Sequence, residues 1–384
     1  MSVIARFEDV RAISSIVPSL GSVCITMRIA FLDSWIQTTA EGSGTAASIG
    51  GLGRALSGRG HQVTRFAPFT AWPATLTLRR LLFNVQLPAL LRQLEYDLII
   101  GFDIDGFLYS AHSRSTPYLA CVKGVIAEEL LHEQGRTRLL FRLLARLEGH
   151  NIRQAEAVLT DSAYGRAAIH KHYRVPEERV RLVPAGIDLA RWHGIARQVP
   201  RSSDGMTILC VARQYPRKHI ADLLRAMVSV RQAVPGAHAV IIGDGPEHER
   251  LLALADELQL SGAVQFLGAI PDDDQVAHWY RRADIFCLPS VQENFGIVFV
   301  EAMANGLPIV ATRAAAIPEV VPDDQAGLLV PPGDTEALAA ALIELLRNPD
   351  QRAAYGAFAL NHVQQYDWGR IVELFLSQVA PFLQ

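Results

Sequence analysis

Two glutamates eight positions apart stand out in the segment "ENFGIVFVEA", which is otherwise as apolar as a protein core. A buried carboxylate is destabilising by several kcal/mol unless a partner compensates it, so Glu293 and Glu301 need hydrogen-bonding partners. Glu293 is expected in the loop after the strand "ADIFCLPS", and Glu301 a turn or two inside the following helix. Contacts with the hydroxyl groups of a sugar-containing ligand are one explanation, and pairing of Glu301 with a surface lysine is the other.

Two cations follow a strand in the same half of the chain. Arg213 comes after the apolar run "ILCVA", and Lys218 stands five residues later. The helix after Glu293 is expected to open near Phe295, where free N–H groups and the positive end of the helix dipole favour an anion. Gly296 permits close approach, and an arginine fork with a lysine point charge suits phosphate. Together with the glutamates, this pattern predicts a site for a diphosphate that carries sugars on both sides, as in a nucleotide sugar.

Charged side chains also follow two strands in the first half of the chain. Asp103 and Asp105 stand in "GFDIDGF", and Lys123 and Glu128 stand in "KGVIAEE". Because two acids at the end of an apolar strand are costly without a role, we expect all four side chains to contact hydroxyl groups of an acceptor. A simple pairing of Lys123 with one of these acids remains open.

Short apolar runs, continuous rather than alternating, recur along the chain between helical patterns. Such strands are typical of parallel sheets covered by helices on both faces. Since 384 residues exceed what one core supports, we predict an α/β protein of two Rossmann-like, doubly wound domains that face a central cleft. The predicted parts are an N-terminal extension (1–26, with Met27 as a possible true start), an N-terminal acceptor domain (27–188), a linker without regular period (189–205), a C-terminal donor domain (206–366) and a C-terminal helix that can pack back on the N-terminal domain (367–384).

A resemblance to a known family becomes specific at this point. The run "ENFGIVFVEAMANGLPIVAT" closely resembles the E-x7-E signature of the retaining GT-B glycosyltransferases of family 4, group 1, which use nucleotide sugars. The resemblance implies a GT-B fold and a metal-independent hexosyltransferase without a cofactor. It also implies a front-face reaction, in which the departing phosphate takes the proton of the acceptor hydroxyl. Further matching segments lie in order over 27–384: "GRGHQVT", "TDSAYGR", "VPAGIDLARW", "VARQYPRK", "GDGP", "FLGAIP" and "GLLVPPGD".

The resemblance also implies roles for single residues. In relatives, the residues that match Arg213 and Lys218 bind the donor diphosphate. The residue that matches Glu293 contacts the donor sugar, and the one that matches Glu301 holds the ribose. The implied catalytic residues are Glu293, Arg213, Lys218 and Lys123.

The remaining implied donor contacts are made by backbone groups. Asn294, Phe295 and Gly296 are expected to present their N–H groups to phosphate and sugar. The family's Gly-Gly loop falls on Ser43 and Gly44, so one of the two glycines is a serine here. Gly44 still permits close approach of the backbone to the donor.

Three positions depart from the family's pattern. Lys123 stands where relatives have the histidine of a His-Gly pair, His219 stands where they have glycine, and Ala185 stands where they have asparagine. A lysine is a poor general base at neutral pH unless burial lowers its pKa. The departures leave the expected donor site intact and alter the acceptor side.

The overall composition excludes several classes of protein. The formal net charge is −3, which gives no general attraction for nucleic acid. The four cysteines lie far apart without metal-ligand spacing, as is typical of a reduced, cytoplasmic protein. No run of about twenty apolar residues is present to span a bilayer, and the N-terminus lacks the apolar centre of a signal peptide.

One predicted helix carries arginines on a stripe. In "RTRLLFRLLARLEGHNIR", Arg138, Arg142 and Arg146 share one side, and leucines occupy another. A solvated face above buried leucines is the favoured interpretation. Weak peripheral contact with the anionic inner face of a membrane is the alternative.

Other functions fit parts of the sequence. The segment "GSGTAA" (42–47) matches a dinucleotide fingerprint, but about ten residues separate it from the preceding strand, and Arg65 rather than an acid ends the next strand. This disfavours an NAD-dependent oxidoreductase. A silent nucleotide-sugar binder, suggested by Lys123, and a sugar phosphorylase remain open. A UDP-sugar donor is favoured over a GDP-sugar, and the acceptor is a saccharide, a lipid-linked sugar or a small molecule.

Overall fold

A computed structural model describes residues 26–35, 39–68, 76–92, 94–109, 116–199 and 206–383. The predicted N-terminal extension lies outside these residues except for its last position. Within helix α1 the side chains of residues 39–43 are also outside the description.

The first domain contains a sheet of six parallel strands in the order β2-β1-β3-β4-β5-β6. The central strands are apolar throughout and buried at every position, since helices cover both faces. The strands are β1 (Arg28–Leu32), β2 (Gln62–Phe66), β3 (Leu98–Phe102), β4 (Tyr118–Val122), β5 (Ala157–Thr160) and β6 (Val180–Leu182).

The second domain contains another parallel sheet of six strands, in the order β12-β11-β10-β7-β8-β9. Its strands are β7 (Thr207–Val211), β8 (His238–Ile242), β9 (Val264–Gly268), β10 (Ile285–Leu288), β11 (Ile309–Thr312) and β12 (Gly327–Val330). The order in which strands are added to this sheet changes direction between β7 and β10, because β8 and β9 lie on one side of β7 and β10 lies on the other. In the first domain the same change occurs between β1 and β3. Ligands of doubly wound sheets bind at the carboxyl ends of the strands beside such a reversal. The predicted fold, two doubly wound α/β domains of the GT-B type, is confirmed.

Helices connect the strands and cover the sheets. Several begin at a side chain that accepts a backbone N–H, as Ser162, Asp272 and Asp334 do. The helices are α1 (Thr39–Gly58), α2 (Leu76–Leu91), α3 (Ile126–Glu129), α4 (Gly135–Gln154), α5 (Ala163–Tyr173), α6 (Leu189–Gln198), α7 (Ile220–Ala233), α8 (His248–Glu257), α9 (Asp273–Arg282), α10 (Ile297–Ala304), α11 (Ile317–Val320), α12 (Thr335–Arg347), α13 (Pro349–His362) and α14 (Trp368–Val379).

Of the predicted linker, 189–205, the structure describes 189–199, and this part is helical instead of irregular. Helix α6 fills its first ten positions, capped by Asp188, and it packs against α9 of the second domain. Trp192 meets Tyr280 edge to face, and Arg191 pairs with Asp274. The helix is stabilised by these partners, which lie about eighty residues away, and the local sequence gives no sign of them.

The chain crosses between the domains twice, and the two crossings are hydrogen-bonded to each other. Ile187 donates its N–H to Tyr366, and Trp368 donates its N–H to Ile187. After the second crossing, α14 packs on α1 of the first domain. Its buried residues complete the core beside β1: Ile371, Val372, Phe375 and Val379.

The Trp368 indole lies between two glycines of the first domain. A Cβ atom added at Gly51 would lie 2.3 Å from the ring, and one added at Gly186 would lie 2.5 Å from it. A side chain at either position therefore displaces α14.

We expect Gly51→Ala to lower the free energy of unfolding by about 1–3 kcal/mol, because the new methyl group overlaps the Trp368 ring. Gly58→Ala is the matched control in the same helix, since nothing lies within 4 Å of its added Cβ. It should leave stability unchanged or raise it by less than about 1 kcal/mol. Urea unfolding of both variants measures the difference, and equal effects would show that the indole does not fill this space.

Candidate active site

The cations predicted to bind phosphate follow β7, beside the point where the strand order of the second sheet changes direction. Arg213 follows β7, and Lys218 ends a short 3-10 turn, Pro216–Lys218. The Lys218 ammonium donates a hydrogen bond to Glu293 Oε1 at 2.5 Å, and both side chains are largely buried. Glu293 lies in the loop after β10, as predicted. The two residues predicted to contact one donor therefore satisfy each other without it.

Two arginines lie over the ring of Tyr215 in the segment between β7 and Lys218. The guanidinium of Arg213 lies 5.5 Å from the ring centre of Tyr215, and that of Arg217 lies 5.0 Å from it. Arg217 also pairs with Glu129 of the first domain at 3.4 Å. His219 adopts a left-handed conformation, with φ of 49°, which glycine would adopt without strain. The Nδ1 atom of His219 lies 2.8 Å from Asp222.

Helix α10 begins at Ile297, two positions after the predicted start near Phe295, with Gly296 as its N-cap at φ of 86°. This left-handed conformation explains the glycine, and the first N–H groups of the helix, which have no partner within it, follow the loop after β10. Phe295 is buried against Tyr366. The amide of Asn294 lies within 3.5 Å of Thr160 in the first domain.

Glu301 lies in α10, as predicted, and is half-buried. Its carboxylate accepts a hydrogen bond of 2.8 Å from the Tyr280 hydroxyl, so its partner is not the surface lysine of the alternative interpretation. Burial raises the pKa of Glu301 to about 7, and the hydrogen bond from Tyr280 offsets only part of this rise. The carboxyl group is therefore close to half protonated near neutral pH.

Gly44 lies inside α1 and not in a loop, which corrects the expectation for this position. A Cβ at Gly44 would lie 3.4 Å from Ile297, so this turn of α1 faces the start of α10 across the cleft. The segment 42–47 is helical, whereas a dinucleotide fingerprint requires a turn between strand and helix.

Asp105 is fully buried beneath the end of β3. Its carboxylate accepts hydrogen bonds from the backbone and hydroxyl of Ser34 and from Asn84, and Arg80 lies 3.6 Å away. Burial raises the pKa of Asp105. The predicted contact with acceptor hydroxyls has to be given up for Asp105, because protein donors enclose its carboxylate and it positions the loop instead.

Asp103 connects neighbouring loops at the same edge. One carboxylate oxygen accepts the N–H of Lys123 at 2.9 Å, and the other accepts the indole N–H of Trp35 at 2.9 Å. Its own backbone is left-handed, with φ of 55°. Asp103 therefore fixes the turn that carries Lys123, and contact with an acceptor stays a prediction.

Lys123 forms a buried ion pair with Asp161, an acid that the sequence analysis did not select. The Nζ–Oδ1 distance is 2.7 Å. Burial alone would lower the pKa of Lys123, but the charges of Asp161 and Asp103 outweigh it and raise the pKa. The side chain is thus a fixed cation and not a general base. The alternative pairing of Lys123 with Asp103, Asp105 or Glu128 is therefore wrong, because the ammonium pairs with Asp161.

Glu128 faces α5 and its own domain. Its carboxylate accepts hydrogen bonds from Lys171 and from the Tyr164 hydroxyl, and His172 lies 2.6 Å away. Burial alone would raise the pKa of Glu128, but these hydrogen bonds lower it. Glu128 therefore anchors α3 to α5, and its predicted contact with an acceptor has to be replaced by this structural role.

A carboxylate of the second domain caps a helix of the first. Both oxygens of Glu319 accept backbone N–H groups from the first turn of α5, those of Ala163 and Tyr164, each at 2.7 Å. The free N–H groups and dipole of a helix start favour this arrangement. Together with the Arg217–Glu129 pair, the contact holds the cleft closed.

Sequence reasoning missed Asp161, Glu319 and Tyr280. Asp161 stands just after β5, in the matching segment "TDSAYGR", so the rule that selected Asp103 applies to it equally. Glu319 and Tyr280 have no such signal, because their partners lie on distant elements. Within the described ranges, no group of three or more His, Cys, Asp and Glu side chains is arranged to hold a metal ion.

Two family models match the chain. The Glycosyltransferase Family 4 model matches residues 42–191, and the model of Glycosyl transferases group 1 matches residues 195–362. Together they cover both domains and most of the described residues.

Curated proteins and solved structures are similar to the chain. A GDP-mannose-dependent alpha-(1-6)-phosphatidylinositol monomannoside mannosyltransferase of Mycobacterium tuberculosis is 31% identical over 69% of this chain and 71% of its own. A phosphatidyl-myo-inositol mannosyltransferase of Mycolicibacterium smegmatis is 38% identical over 48% of each chain, so this chain spans about half of that relative's length. Anabaena HepE in complex with UDP and glucose is 20% identical, with a TM-score of 0.72 over 92% of this chain and all of its own, which shows the fold.

The raised pKa of Glu301 predicts a pH-dependent stability. Its pKa in the folded state, about 7, exceeds the ordinary value of 4.5, so the folded state binds this proton more tightly than the unfolded state does. As the pH rises from 4.5 towards 7, the unfolded state loses the proton first, and the free energy of unfolding falls. Between pH 5 and pH 8, Glu301→Gln should therefore gain roughly 2 kcal/mol of unfolding free energy relative to wild type. Urea titrations at several pH values test this. Glu336→Gln, on the exposed start of α12, should show no such trend, and a flat difference for Glu301→Gln would contradict the assignment.

Glu319→Ala should shift the ligand-free protein towards an open cleft. The variant loses both contacts with α5, and an exposed charged contact contributes up to about 1 kcal/mol, a few-fold change in the open population. Small-angle scattering should show a larger radius of gyration, while Glu249→Ala on the surface of α8 should not. An unchanged radius for Glu319→Ala would show that other contacts alone keep the cleft closed.

Proposed function

We propose a donor and a reaction course for this chain, which belongs to the group 1 glycosyltransferases of family 4. It is a glycosyltransferase, and its family implies transfer from a nucleotide sugar. We infer that the transfer retains the configuration at the reacting carbon, requires no metal ion or cofactor, and takes place in the closed cleft.

The observation that supports this proposal is the group of charged residues after β7 and β10, where the strand order of the second sheet changes direction. Arg213 and Lys218 follow β7, Glu293 and the start of α10 follow β10, and the Lys218–Glu293 pair joins the two segments. Cations and helix N–H groups in fixed positions favour the charge that develops on a leaving diphosphate. Glu293 lies next to them for a sugar hydroxyl, and Glu301 lies one turn inside the helix for the ribose.

When the donor binds, Lys218 and Glu293 have to exchange each other for groups of the donor. A diphosphate that reaches Lys218 competes with the Glu293 carboxylate, and the released carboxylate then accepts hydrogen bonds from the donor sugar. A buried carboxylate left alone would be strongly destabilising. The exchange therefore couples binding of the diphosphate to binding of the sugar, which favours an intact nucleotide sugar over a free nucleotide.

The proton of the acceptor is proposed to leave with the phosphate. Lys123 is held as a cation by Asp161 and cannot accept a proton near neutral pH. In a front-face reaction the departing phosphate oxygen takes the proton from the attacking hydroxyl, so the chain need not supply a base. Lys123 then orders the turn beside the acceptor through its ion pair with Asp161.

The donor and acceptor are proposed from the relatives. The mycobacterial relative is named as GDP-mannose-dependent and acts on phosphatidylinositol monomannoside. Its likeness in sequence exceeds that of HepE, whose structure contains UDP. We therefore propose GDP-mannose ahead of the UDP-sugar favoured by the sequence analysis, and a hydroxyl of a lipid-linked headgroup as acceptor.

A thermal-shift series with GDP-mannose, UDP-glucose, GDP and UDP tests the donor. A ligand at a hundredfold its dissociation constant adds about 2.7 kcal/mol of stability, which is readily measured. One nucleotide sugar should raise the melting temperature more than its free nucleotide does. Absence of a shift with all four would exclude the donor site.

Variants then connect the site to transfer. Lys218→Ala should weaken donor binding at least tenfold, and Lys218→Ala with Glu293→Gln checks that an unpaired carboxylate is not the cause. Lys171→Ala, an exposed lysine of the first domain, is the matched control for donor binding. Transfer to phosphatidylinositol mannoside acceptors should be lost with donor binding. Donor binding without turnover on any acceptor would indicate a silent binder, and release of sugar phosphate in phosphate buffer would indicate a phosphorylase.

A further inference from the structure

The outer face of α4 carries large apolar side chains where solvent contact is unfavourable. Leu139 is 64% exposed, Leu143 is 45% exposed and Leu140 is 36% exposed. Helical spacing places Leu139 and Leu143 one above the other on the side that faces away from the sheet. The favoured expectation of buried leucines beneath a solvated face is therefore wrong for this part of the helix.

The first half of α4 is mostly exposed, and within 135–143 the partly buried Phe141 is the residue that packs against the core. All buried residues of α4 lie from Leu144 onward, and none lies in 135–143. The second half holds the helix in place: Ile152 and Leu144 pack in the core, and the carboxylate of Glu148 accepts the N–H of Ile126. A rigid second half therefore presents the exposed leucines of the first half.

Arginines surround these leucines. Arg136, Arg138, Arg142 and Arg146 are all exposed, and the one acid of α4 is the buried Glu148. This cluster of cations belongs to a chain whose formal net charge is −3. The positive potential is thus a property of this helix and not of the whole protein.

A second apolar stripe lies on the same side of the sheet. Helix α2 exposes Leu78, Leu82 and Val85, at 47%, 40% and 63%. Both helices cover the same face, because the buried residues of α2 and of α4 belong to one core cluster. Exposed apolar stripes on two helices of one face indicate an apolar environment for that face.

We propose that the α4 face, defined as Leu139, Leu140 and Leu143 with Arg136, Arg138, Arg142 and Arg146, docks on the surface of an anionic lipid bilayer. A helix of this kind lies in the interface, with leucines among the acyl chains and arginines at the phosphates. A nucleic acid would leave the leucines in water, and an apolar protein groove would leave the arginines without partners. An anionic bilayer provides both environments at once.

The position of the α4 face gives docking a consequence for the acceptor. Helix α3 follows the Lys123 turn directly and packs on α4. Docking would therefore hold the acceptor side of the cleft close to lipid headgroups. This consequence rests on the proposed function, whereas the docking itself does not.

Vesicle flotation tests the proposal with the full chain. Wild type should bind vesicles of phosphatidylcholine with phosphatidylglycerol at least tenfold more tightly than vesicles of phosphatidylcholine alone. Leu139→Gln with Leu143→Gln should weaken that binding about tenfold or more, and Arg142→Gln with Arg146→Gln should do the same. These positions are exposed, so melting temperatures should not change.

Matched controls lie on the second domain. Leu360 is 42% exposed on α13, and Arg250 is exposed on α8, so Leu360→Gln and Arg250→Gln should bind vesicles as wild type does. Absence of wild-type binding to anionic vesicles would overturn the proposal, as would binding that both leucine changes leave intact. A concentration-dependent dimer that the leucine changes dissolve would instead identify a second copy as the partner. The nucleotide thermal shift should be unchanged in all variants, so failure on vesicles would leave the donor assignment standing.

Discussion

The buried ion pair of Lys218 and Glu293 constrains the second domain more than any other single contact described above. It joins the turn after β7 to the loop after β10, beside the point where the strand order of the sheet changes direction. The carbonyl of Arg217 strengthens the same connection, because it accepts hydrogen bonds from the Ser290 hydroxyl and from the Val291 N–H. Neither charge can be lost alone without leaving the other buried. The walls of the crevice are therefore held in place before any ligand arrives, and α10 begins from a fixed position.

Much of this arrangement could be predicted from sequence because its causes are local. Continuous apolar runs specify buried parallel strands, and polar residues just after β7 and β10 are placed by the strands themselves. The predictions fail where a residue's environment depends on distant elements. Asp105 and Glu128 are enclosed by donors from other parts of the first domain, α6 is stabilised by α9, and the leucines of α4 lie beyond the edge of the core. A pattern of periodicity reports which side chains share a face, but it cannot report whether anything covers that face.

The two domains are connected by contacts of different strength. The crossings at Ile187 and Trp368 are hydrogen-bonded to each other and act as one hinge, while the contacts of Glu319 and of Arg217 across the cleft are partly open to solvent. Exposed charged contacts are weak and sensitive to salt. Opening is therefore expected to occur about the hinge, at a free energy small enough for ligands on either side of the cleft to shift it.

The return of α14 to the first domain has a consequence for the order of folding. The apolar side of β1 and α1 is completed by Ile371, Val372 and Phe375, which are synthesised after the second domain. Domains generally fold as units during synthesis, with the N-terminal one first. Here the second domain can close its own core while the first still exposes Ile29, Phe31 and Ile49. Of these two domains, the one synthesised first is thus completed after the other, and during that interval its apolar side is exposed and prone to aggregation.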